Sequence, residues 1–502
     1  MKRNRRAAWA AAGLLALLLL PAALHWFEAR DPDGIHSLSD TIWYTLVTLT
    51  TVGYGDVIPA TPGGKLIGAI LALLSTILSA FLISLFLSLL LGRLLPLLRL
   101  LLRRGRPRFV FEQRNAGTEA LAEALARQER CVTVFTDPAA SHALTTEEVL
   151  RLRGGSLVFC MGENGMDNYR RACALVRRGA RACCLSGYEP DALPEGLTVF
   201  NPYAGCARLY WERFPLRRPD ESIVLIGSGP WAEALLDQAL LVNVADPLQS
   251  VRYLVYGGFA DYRRNRPYLR QLCAPDGAEA PGDALVFSDG PWNGDWQALR
   301  SADRIILCSG SENEVLSVFQ SLRRLGVLSG AVHARLDQDL DGLTAFGSVR
   351  ELADPELVLR TRLDRRAMAL HRIYLEGAGT ASPAWEELSA FLRRSNLAAA
   401  DHLPVKLRVL LGADAAFSRD ACAEAFRRWQ AAEDRERYRR IEHLRWMRFH
   451  LLHNWQYAPR RDNAARLHPL LLPFDSLSPE DQVKDDYAWE LLGALARNDS
   501  LW

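Results

Sequence analysis

Cysteine is scarce and unevenly placed in this 502-residue chain. All nine cysteines follow residue 130, with no CxxC pair and no histidine at metal-ligand spacing. Disulfide frameworks and zinc modules need such pairs, so neither is expected, and a reducing compartment is predicted for the part that holds the cysteines. A nucleophile, a base and an orienting group are nowhere found together, so the sequence does not predict an enzyme.

The chain also lacks a strong net charge, although its N-terminal part is basic and the remainder is slightly acidic. Residues 1–108 hold 12 Lys and Arg against 5 Asp and Glu, the other 394 hold 48 against 53, and the formal charge is +2. A basic, leucine-rich front therefore precedes a mildly acidic body of ordinary globular composition. This balance gives no support for nucleic-acid binding, and the length predicts three or four domains.

Two long apolar runs predict membrane spans, at residues 7–27 and 66–92. Each is long enough to cross a hydrocarbon core of about 30 Å. The first run alone also fits a cleaved signal peptide. The second run, the arginines outside both runs and the acidic 28–40 loop together follow the positive-inside rule. We therefore predict a multi-pass protein in contact with lipid in the cell (inner) membrane, with both termini cytoplasmic.

The stretch between the runs reads Thr48-Leu49-Thr50-Thr51-Val52-Gly53-Tyr54-Gly55-Asp56. A potassium ion leaves water only where oxygens replace its hydration shell, and rings of backbone carbonyls from four chains can do so. Gly53 and Gly55 permit backbone conformations that a Cβ opposes, and Thr51 adds a hydroxyl. Residues 37–50 predict a short helix capped by Ser37 and carrying Trp43 and Tyr44.

This stretch resembles the potassium-channel pore loop, and the resemblance covers about residues 7–105. It implies an all-α two-helix pore domain over 1–107, with spans at 7–27 and 66–92 and a re-entrant pore helix and filter at 37–56. It also implies a homotetramer, K+ ions held at Thr51, Val52, Gly53 and Tyr54, and a filter that ends at Gly55. Four residues would support this filter: Thr48, Asp56, Trp43 and Tyr44. A glycine-rich external turn is the alternative.

Two features of the pore region concern gating. No helix carries an arginine at every third position, so a voltage sensor of that kind is not expected. On the second span, Gly68, Ala72, Ser75 and Ser79 share one helical face. This face of small side chains either lines a water-filled cavity or packs against a neighbouring helix.

The body contains an internal repeat. The order strand, helix, strand, strand, strand occurs twice, at 109–112, 118–127, 132–135, 157–160 and 182–185, and again at 223–226, 231–240, 253–256, 305–308 and 331–336. Alternating strands and helices predict parallel sheets with right-handed crossovers. We therefore expect two α/β Rossmann-type domains, over residues 108–220 and 221–364.

Only the second repeat has a glycine loop directly after its first strand, Gly227-Ser228-Gly229-Pro230. Such a loop and the helix that it opens can hold a phosphate, which makes Gly227 and Gly229 candidate nucleotide-binding residues. The next strand ends in Val255-Tyr256, without the acid that usually binds ribose. Glycines that serve only close packing of strand and helix are the alternative.

Behind a potassium pore, this Rossmann pair resembles the RCK family, the regulators of potassium conductance. The resemblance covers about residues 108–345 and implies a ring of eight units beneath four pore subunits. Residues 365–502 predict a mainly helical region, with helices at 385–411 and 422–452. Within it stand Glu442-His443-Leu444-Arg445-Trp446, Asn454-Trp455-Gln456-Tyr457 and the stretch from His468 to Phe474. This pattern, over about residues 435–497, resembles the RyR domain of ryanodine receptors, although Asn454 stands where that family commonly has glycine.

Aromatic and basic side chains lie together in this last region. Trp455 and Tyr457 with Arg460 and Arg461 suit stacking on a base and pairing with phosphate. A tryptophan in the core beside solvated arginines is the alternative. Function is thus predicted as a potassium channel gated by a small intracellular ligand, possibly a nucleotide. The alternatives are a membrane-anchored NAD(P)-dependent oxidoreductase or a regulatory subunit of a potassium transporter.

Overall fold

The computed structural model describes residues 19–103, 105–128, 130–136, 144–152, 155–188, 190–272, 282–326, 331–359, 362–378, 383–499 and 501. They divide into two units. The first, here called the pore unit, contains the described residues up to Arg103 with Leu144 and Thr145. The second, here called the body, contains the described residues of Arg104–Asp137 and Thr146–Trp502. Residues 7–18 of the first predicted span lie outside the described residues.

The pore unit consists of helices. They are α1 (residues 19–28), α2 (Leu38–Leu49), α3 (Pro62–Leu89) and α4 (Leu95–Leu102), and a π-helical turn at Leu90–Leu94 joins the last two. Among the described residues, one continuous helix, Pro62–Leu102, is long and apolar enough to cross a membrane. The predicted second span of 66–92 is thus part of a longer helix. That helix begins earlier because Thr61 caps it and Pro62 stands in its first turn.

The first half of the body contains a five-stranded parallel sheet in the order β2-β1-β3-β4-β5. Its strands are β1 (Arg108–Phe111), β2 (Val132–Phe135), β3 (Ser156–Cys160), β4 (Arg181–Leu185) and β5 (Leu197–Phe200). Its helices are α5 (Ala116–Gln128), α6 (Thr146–Arg151), α7 (Gly165–Val176) and α8 (Pro202–Arg213). The four predicted strands are confirmed within one residue at each end.

The second half contains a six-stranded parallel sheet in the order β11-β10-β9-β6-β7-β8. The strands are β6 (Ser222–Gly227), β7 (Arg252–Tyr256), β8 (Ala284–Ser288), β9 (Arg304–Cys308), β10 (Ala331–Arg335) and β11 (Thr344–Phe346). The helices are α9 (Gly229–Val242), α10 (Ala260–Arg264), α11 (Trp296–Ser301), α12 (Glu312–Arg324), α13 (Val349–Leu352) and α14 (Pro355–Val358). Alternate residues of β6 enter opposite cores, Ile223 and Leu225 one, Val224 and Ile226 the other.

The rest of the body is mainly helical. It contains α15 (Arg365–Ala378), α16 (Ala390–Leu411), α17 (Arg419–Gln430), α18 (Arg435–Leu452), α19 (Pro479–Val483) and α20 (Tyr487–Arg497), with a small pair of strands, β12 (Gln456–Tyr457) and β13 (Leu467–His468). The prediction of one helix over 422–452 was wrong. The chain breaks at 431–434, because Asp434 accepts a hydrogen bond from the Arg437 N–H and starts a new helix there. Likewise, α16 starts only at Ala390, capped by Ser389.

Buried charges attach the helical region to both sheets. Arg208 on α8 pairs with Asp401 on α16 at 2.7 Å, and Arg448 on α18 pairs with Asp283, just before β8, at 2.7 Å. Both side chains of the second pair are at least 98% buried. Buried charges need partners of opposite sign in good geometry, so these contacts specify one orientation of the helical region on each half of the body.

Candidate functional site

In the backbone after α2, the sign of the φ angle alternates from residue to residue. Thr51, Gly53 and Gly55 have positive φ angles of 60°, 58° and 76°, whereas Val52 and Tyr54 between them do not. Alternation in the sign of φ can turn successive peptide groups toward the same side of the chain. The segment is tied to the end of α2, because the N–H groups of Val52 and Gly53 both donate to the Val47 carbonyl, at 3.0 and 3.3 Å.

The predicted supporting residues divide into two groups. The Trp43 Nε1–H donates to Asp56 Oδ2 at 2.9 Å, and the Trp43 ring stacks on Tyr54 with 5.9 Å between centroids. Tyr44 lies elsewhere, against α3, where a Cβ on Gly68 would overlap its hydroxyl. Thr48 contributes its carbonyl, which accepts from the Thr51 N–H at 3.1 Å. Trp43, Tyr54 and Asp56 therefore form one bracket beside the alternating segment.

We expect Trp43→Phe to weaken this bracket while retaining an aromatic ring. The variant removes the Nε1–H donor to Asp56 but keeps a ring against Tyr54. A hydrogen bond to a carboxylate contributes about 1.5 to 3 kcal/mol. The expected result is a lower unfolding temperature of the purified protein and reduced selectivity among monovalent cations in flux measurements. Ile42→Val, at an exposed neighbouring position of α2, is the control, and an equal effect of both variants would contradict the role of the bond.

Sequence reasoning missed a buried carboxylate in the pore unit. Glu28, at the end of α1, is fully buried and accepts hydrogen bonds from the N–H groups of Ala60 and Thr61 and from the Thr61 hydroxyl. A Cβ on Gly64 would overlap its side chain. Glu28 thereby fastens α1 to the start of α3. More than thirty residues separate these partners, so no local pattern could reveal the contact.

The face of small residues on α3 packs inside the pore unit at two of its four positions. Ser75 is buried, and its hydroxyl donates to the Leu49 carbonyl at the end of α2 at 2.8 Å. Gly68 is buried beneath Tyr44. Ala72 is exposed and Ser79 is half-buried. Of the two predicted roles, packing against a neighbouring helix is the one that Gly68 and Ser75 fulfil within the chain.

The Gly227 loop follows β6 and opens α9, as predicted. A Cβ on Gly227 would overlap the Cys308 carbonyl oxygen of the neighbouring strand, so close packing requires this glycine. Gly229 has a φ of 71° and open space around it. At the end of β7, the Tyr256 hydroxyl donates to Asp295. Packing therefore explains Gly227, while Gly229 stays a candidate for ligand binding.

The corresponding edge of the first sheet is filled by the chain's own polar groups. Gln113 Oε1 accepts from the Met161 N–H, and Asn115 Nδ2 donates to the Met161 carbonyl. Glu112 is buried and pairs with Arg171. This arrangement accounts for the missing glycine loop, because side chains occupy the strand ends where a phosphate would bind.

The aromatic and basic group predicted near the C-terminus is not one site. Trp455 is only 4% exposed and stacks on Phe391 with 5.1 Å between centroids. The prediction that Trp455 stacks on a ligand was therefore wrong, because this ring belongs to the core. Tyr457 is 51% exposed, and Arg460 and Arg461 are exposed as well. The neighbouring Asn454 has a φ of 61°, which explains why a glycine would suit this position.

Several histidines of the body are buried and neutral. Burial lowers the pKa of His333 and His468 from 6.5 to about 4, and that of His402 and His450 to about 3. Burial acts in the same direction on His443, but Asp485 and the Leu472 carbonyl outweigh it and raise its pKa. Burial also lowers the pKa of His453 to about 4. Five depressed pKa values against one raised value mean that the unfolded chain binds more protons in mild acid.

We therefore expect the body to lose stability as the pH falls below about 6.5 toward about 4, because these histidines become protonated in the unfolded chain but stay neutral in the folded one. In this pH range, each buried histidine lowers the free energy of unfolding by up to about 1.4 kcal/mol per pH unit. Thermal unfolding followed by tryptophan fluorescence between pH 7 and 5 measures the slope. His402→Gln should reduce this pH dependence, because glutamine does not titrate. The fold should be retained, since glutamine can still donate to the Val244 carbonyl that His402 contacts. An unchanged unfolding temperature over this range would contradict the expectation.

Comparison with known proteins identifies the class of the front of the chain. Residues 13–91 match the family described as ion channel. The chain is also 40% identical over 60 residues to potassium voltage-gated channel subfamily A member 10 of Mus musculus, and 48% identical over 61 residues to a voltage-gated potassium channel of Aeropyrum pernix. Each alignment covers 12% of this chain, and they cover 12% and 21% of the two relatives. The chain is thus similar to ion channels over residues 13–91 and to potassium channels over about 60 residues, and this likeness implies a membrane location.

Solved structures add a likeness over a longer stretch. The GsuK channel bound to ADP aligns with 72% of this chain and all of that one, at 16% identity and a TM-score of 0.31. The NAD-bound form covers 71% of this chain and 83% of that one, at 15% identity and a TM-score of 0.30. These values are too low for either structure to bear on the ligands or assembly of this chain.

Proposed function

We propose that this chain is the subunit of a tetrameric, potassium-selective channel. The observation that carries the proposal is the alternation of positive φ at Thr51, Gly53 and Gly55. A backbone of this kind can present consecutive carbonyls as a ladder, and potassium is selected by rings of such carbonyls. Thr51 adopts a conformation that costs energy for a residue with a Cβ, and such strain is concentrated at functional sites. The K+ ions would lie at Thr51, Val52, Gly53 and Tyr54.

A tetramer follows from the same requirement. One chain supplies one ladder, whereas an ion needs oxygens on all sides, so four copies around an axis complete the rings. Within a single chain, Val52 is 53% and Tyr54 69% exposed. Irregular backbone at membrane depth is tolerated only where protein covers it or where it lines water. Neighbouring subunits would supply that cover, and lipid would contact the outward apolar side chains of α3.

Ion flux into proteoliposomes tests the proposal. Purified protein should take up rubidium or potassium at a rate well above that of empty vesicles and should exclude sodium. Sodium uptake as fast as potassium uptake would reject potassium selectivity. Sizing of the purified protein in detergent tests the tetramer separately.

The body is proposed as the regulatory part of this channel. Its two parallel sheets support the predicted pair of RCK-like units, which in a tetramer would form a ring of eight. The helical region with the RyR-like segment would add an input for a small intracellular ligand, with a nucleotide as the candidate. The alternative of an NAD(P)-dependent oxidoreductase gains no support from the Gly227 loop, since β7 ends in Tyr256 instead of an acid. No enzymatic activity is proposed.

Inserting a flexible Gly/Ser stretch after Gly105 should uncouple the body from the pore. Beyond the π-helical turn, α3 continues as α4 to Leu102, so only a few residues separate the pore helix from β1. A short connection can transmit force, whereas a flexible one cannot. We expect basal potassium flux to persist and the response to ligand to disappear. A ligand response that survives a long insertion unchanged would mean that this connection does not transmit the signal.

A further inference from the structure

A cavity of about 570 Å³ lies in the body where three parts of the chain meet. Its walls come from α8 of the first half, α9 of the second half, and α16 and α18 of the helical region. Pockets for small molecules commonly measure about 300 to 1,000 Å³ and lie between domains. This cavity has the size and the position of a ligand site; it touches the glycine loop only at Pro230, and neither Gly227, Gly229 nor Tyr457 lines it.

Part of the wall is apolar and can accept a flat ring. The apolar side chains are Phe200, Leu241, Leu397, Phe449 and Leu452. A wall of this kind favours an aromatic group over a small hydrated ion, since burial of apolar surface drives binding.

Three hydrogen-bond acceptors also belong to the lining. His453 Nδ1 donates to the Phe449 carbonyl, and burial lowers the pKa of His453 to about 4, so Nε2 is left as an acceptor. Asn454 donates through Nδ2 to the Asn265 carbonyl, while its Oδ1 is buried without a partner. Burial also raises the pKa of Glu233, for which no hydrogen bond is found among the described residues. These groups require donors, such as hydroxyl or amino groups.

Positive charge is present in the same lining. Arg394 and Arg466 are both exposed to solvent, and Arg466 is held in place by a 2.8 Å bond from Nη1 to the His453 carbonyl. Two arginines of the cavity have carboxylate partners: Arg208 pairs with Asp364 and Asp401, and Arg266 pairs with Asp237. Arg466, whose bond goes to a backbone carbonyl, is the exposed cation suited to an added anion.

We propose that this cavity binds a ribonucleotide. Its phosphate would lie at Arg466, and its ribose hydroxyl or base amino groups would donate to Glu233, His453 and Asn454. A nucleotide combines an aromatic ring, several donors and an anionic group, which is the combination that the lining complements. Because the walls belong to three parts of the body, a bound nucleotide would favour one arrangement of those parts over others. Only this regulatory consequence rests on the proposed channel function; binding itself does not.

Calorimetry on the full-length protein in detergent tests the site, with the 5′-mono- and triphosphates of adenosine and guanosine as probes. At least one nucleotide should bind, and Arg466→Ala and Glu233→Gln should each weaken binding by about tenfold or more, the effect of one lost charge-assisted bond. Asn454→Gly should also weaken binding without straining the fold, because glycine readily adopts a φ near 61°. The unfolding temperature of each variant verifies that it is folded.

The matched control is Arg427→Ala, which removes an exposed arginine of the helical region that does not line the cavity. Binding should be unchanged in that variant. Absence of binding by every nucleotide, or binding that is lost in the control and unaffected by the cavity variants, would overturn the proposal. Potassium flux is measured in parallel without ligand. Failure of flux with intact nucleotide binding would count against the proposed pore and not against this site.

Discussion

Gly53→Ala is expected to abolish potassium flux while leaving the protein folded and assembled. Gly53 has a φ of 58°, and a residue with a Cβ pays about 1 to 2 kcal/mol for such a conformation. In a tetramer four copies of this strain would fall on one ring of carbonyls. Relief of the strain would rotate the peptide groups on either side and remove their oxygens from the proposed ion path.

The measurement is rubidium uptake into proteoliposomes together with size-exclusion chromatography. Gly179→Ala is the matched control, because Gly179 has a φ of 81° and nothing within 4 Å of its added Cβ, but lies in the body. Both variants introduce similar backbone strain, so only its position differs. Flux at the wild-type rate in Gly53→Ala, or equal loss in both variants, would contradict the assignment of the filter.

Arg448→Met is expected to destabilise the body strongly. The variant leaves Asp283 buried beside Gln249 and the Val251 N–H without its cationic partner. Removing one partner of a buried ion pair costs about 3 to 5 kcal/mol. The loss should loosen α18 from the second sheet, so proteases should cut the helical region more readily.

Thermal unfolding and limited proteolysis of the full-length protein check this expectation. Arg427→Met is the control, because Arg427 pairs with Glu424 on the surface of α17 with 72% of its side chain exposed. Exposed pairs contribute at most about 1 kcal/mol. If both variants lowered the unfolding temperature equally, the Arg448 pair would not be what holds the helical region in place.

The repeat in the body was predictable because each strand is a short apolar run followed by a helix. Three strands of the two large sheets nevertheless escaped prediction: β5, β8 and β11. Each is three to five residues long and lies at an end of its sheet. Such a short segment carries little periodicity, and its pairing with a neighbouring strand is decided by the sheet that forms beside it. The same limit applies to the break between α17 and α18, where one capping aspartate interrupts an otherwise helical pattern.

By itself the sequence determined the local features of this protein: the apolar run within α3, the segment from Thr48 to Asp56, and the alternation of strands and helices. These depend on neighbouring residues, whose spacing fixes periodicity and backbone freedom. Only the tertiary structure decided that Trp455 belongs to the core, that Glu28 fastens two helices, and that Glu233, Asn454 and Arg466 surround one cavity. Those residues are tens to hundreds of positions apart, and their meeting depends on how whole helices and sheets pack.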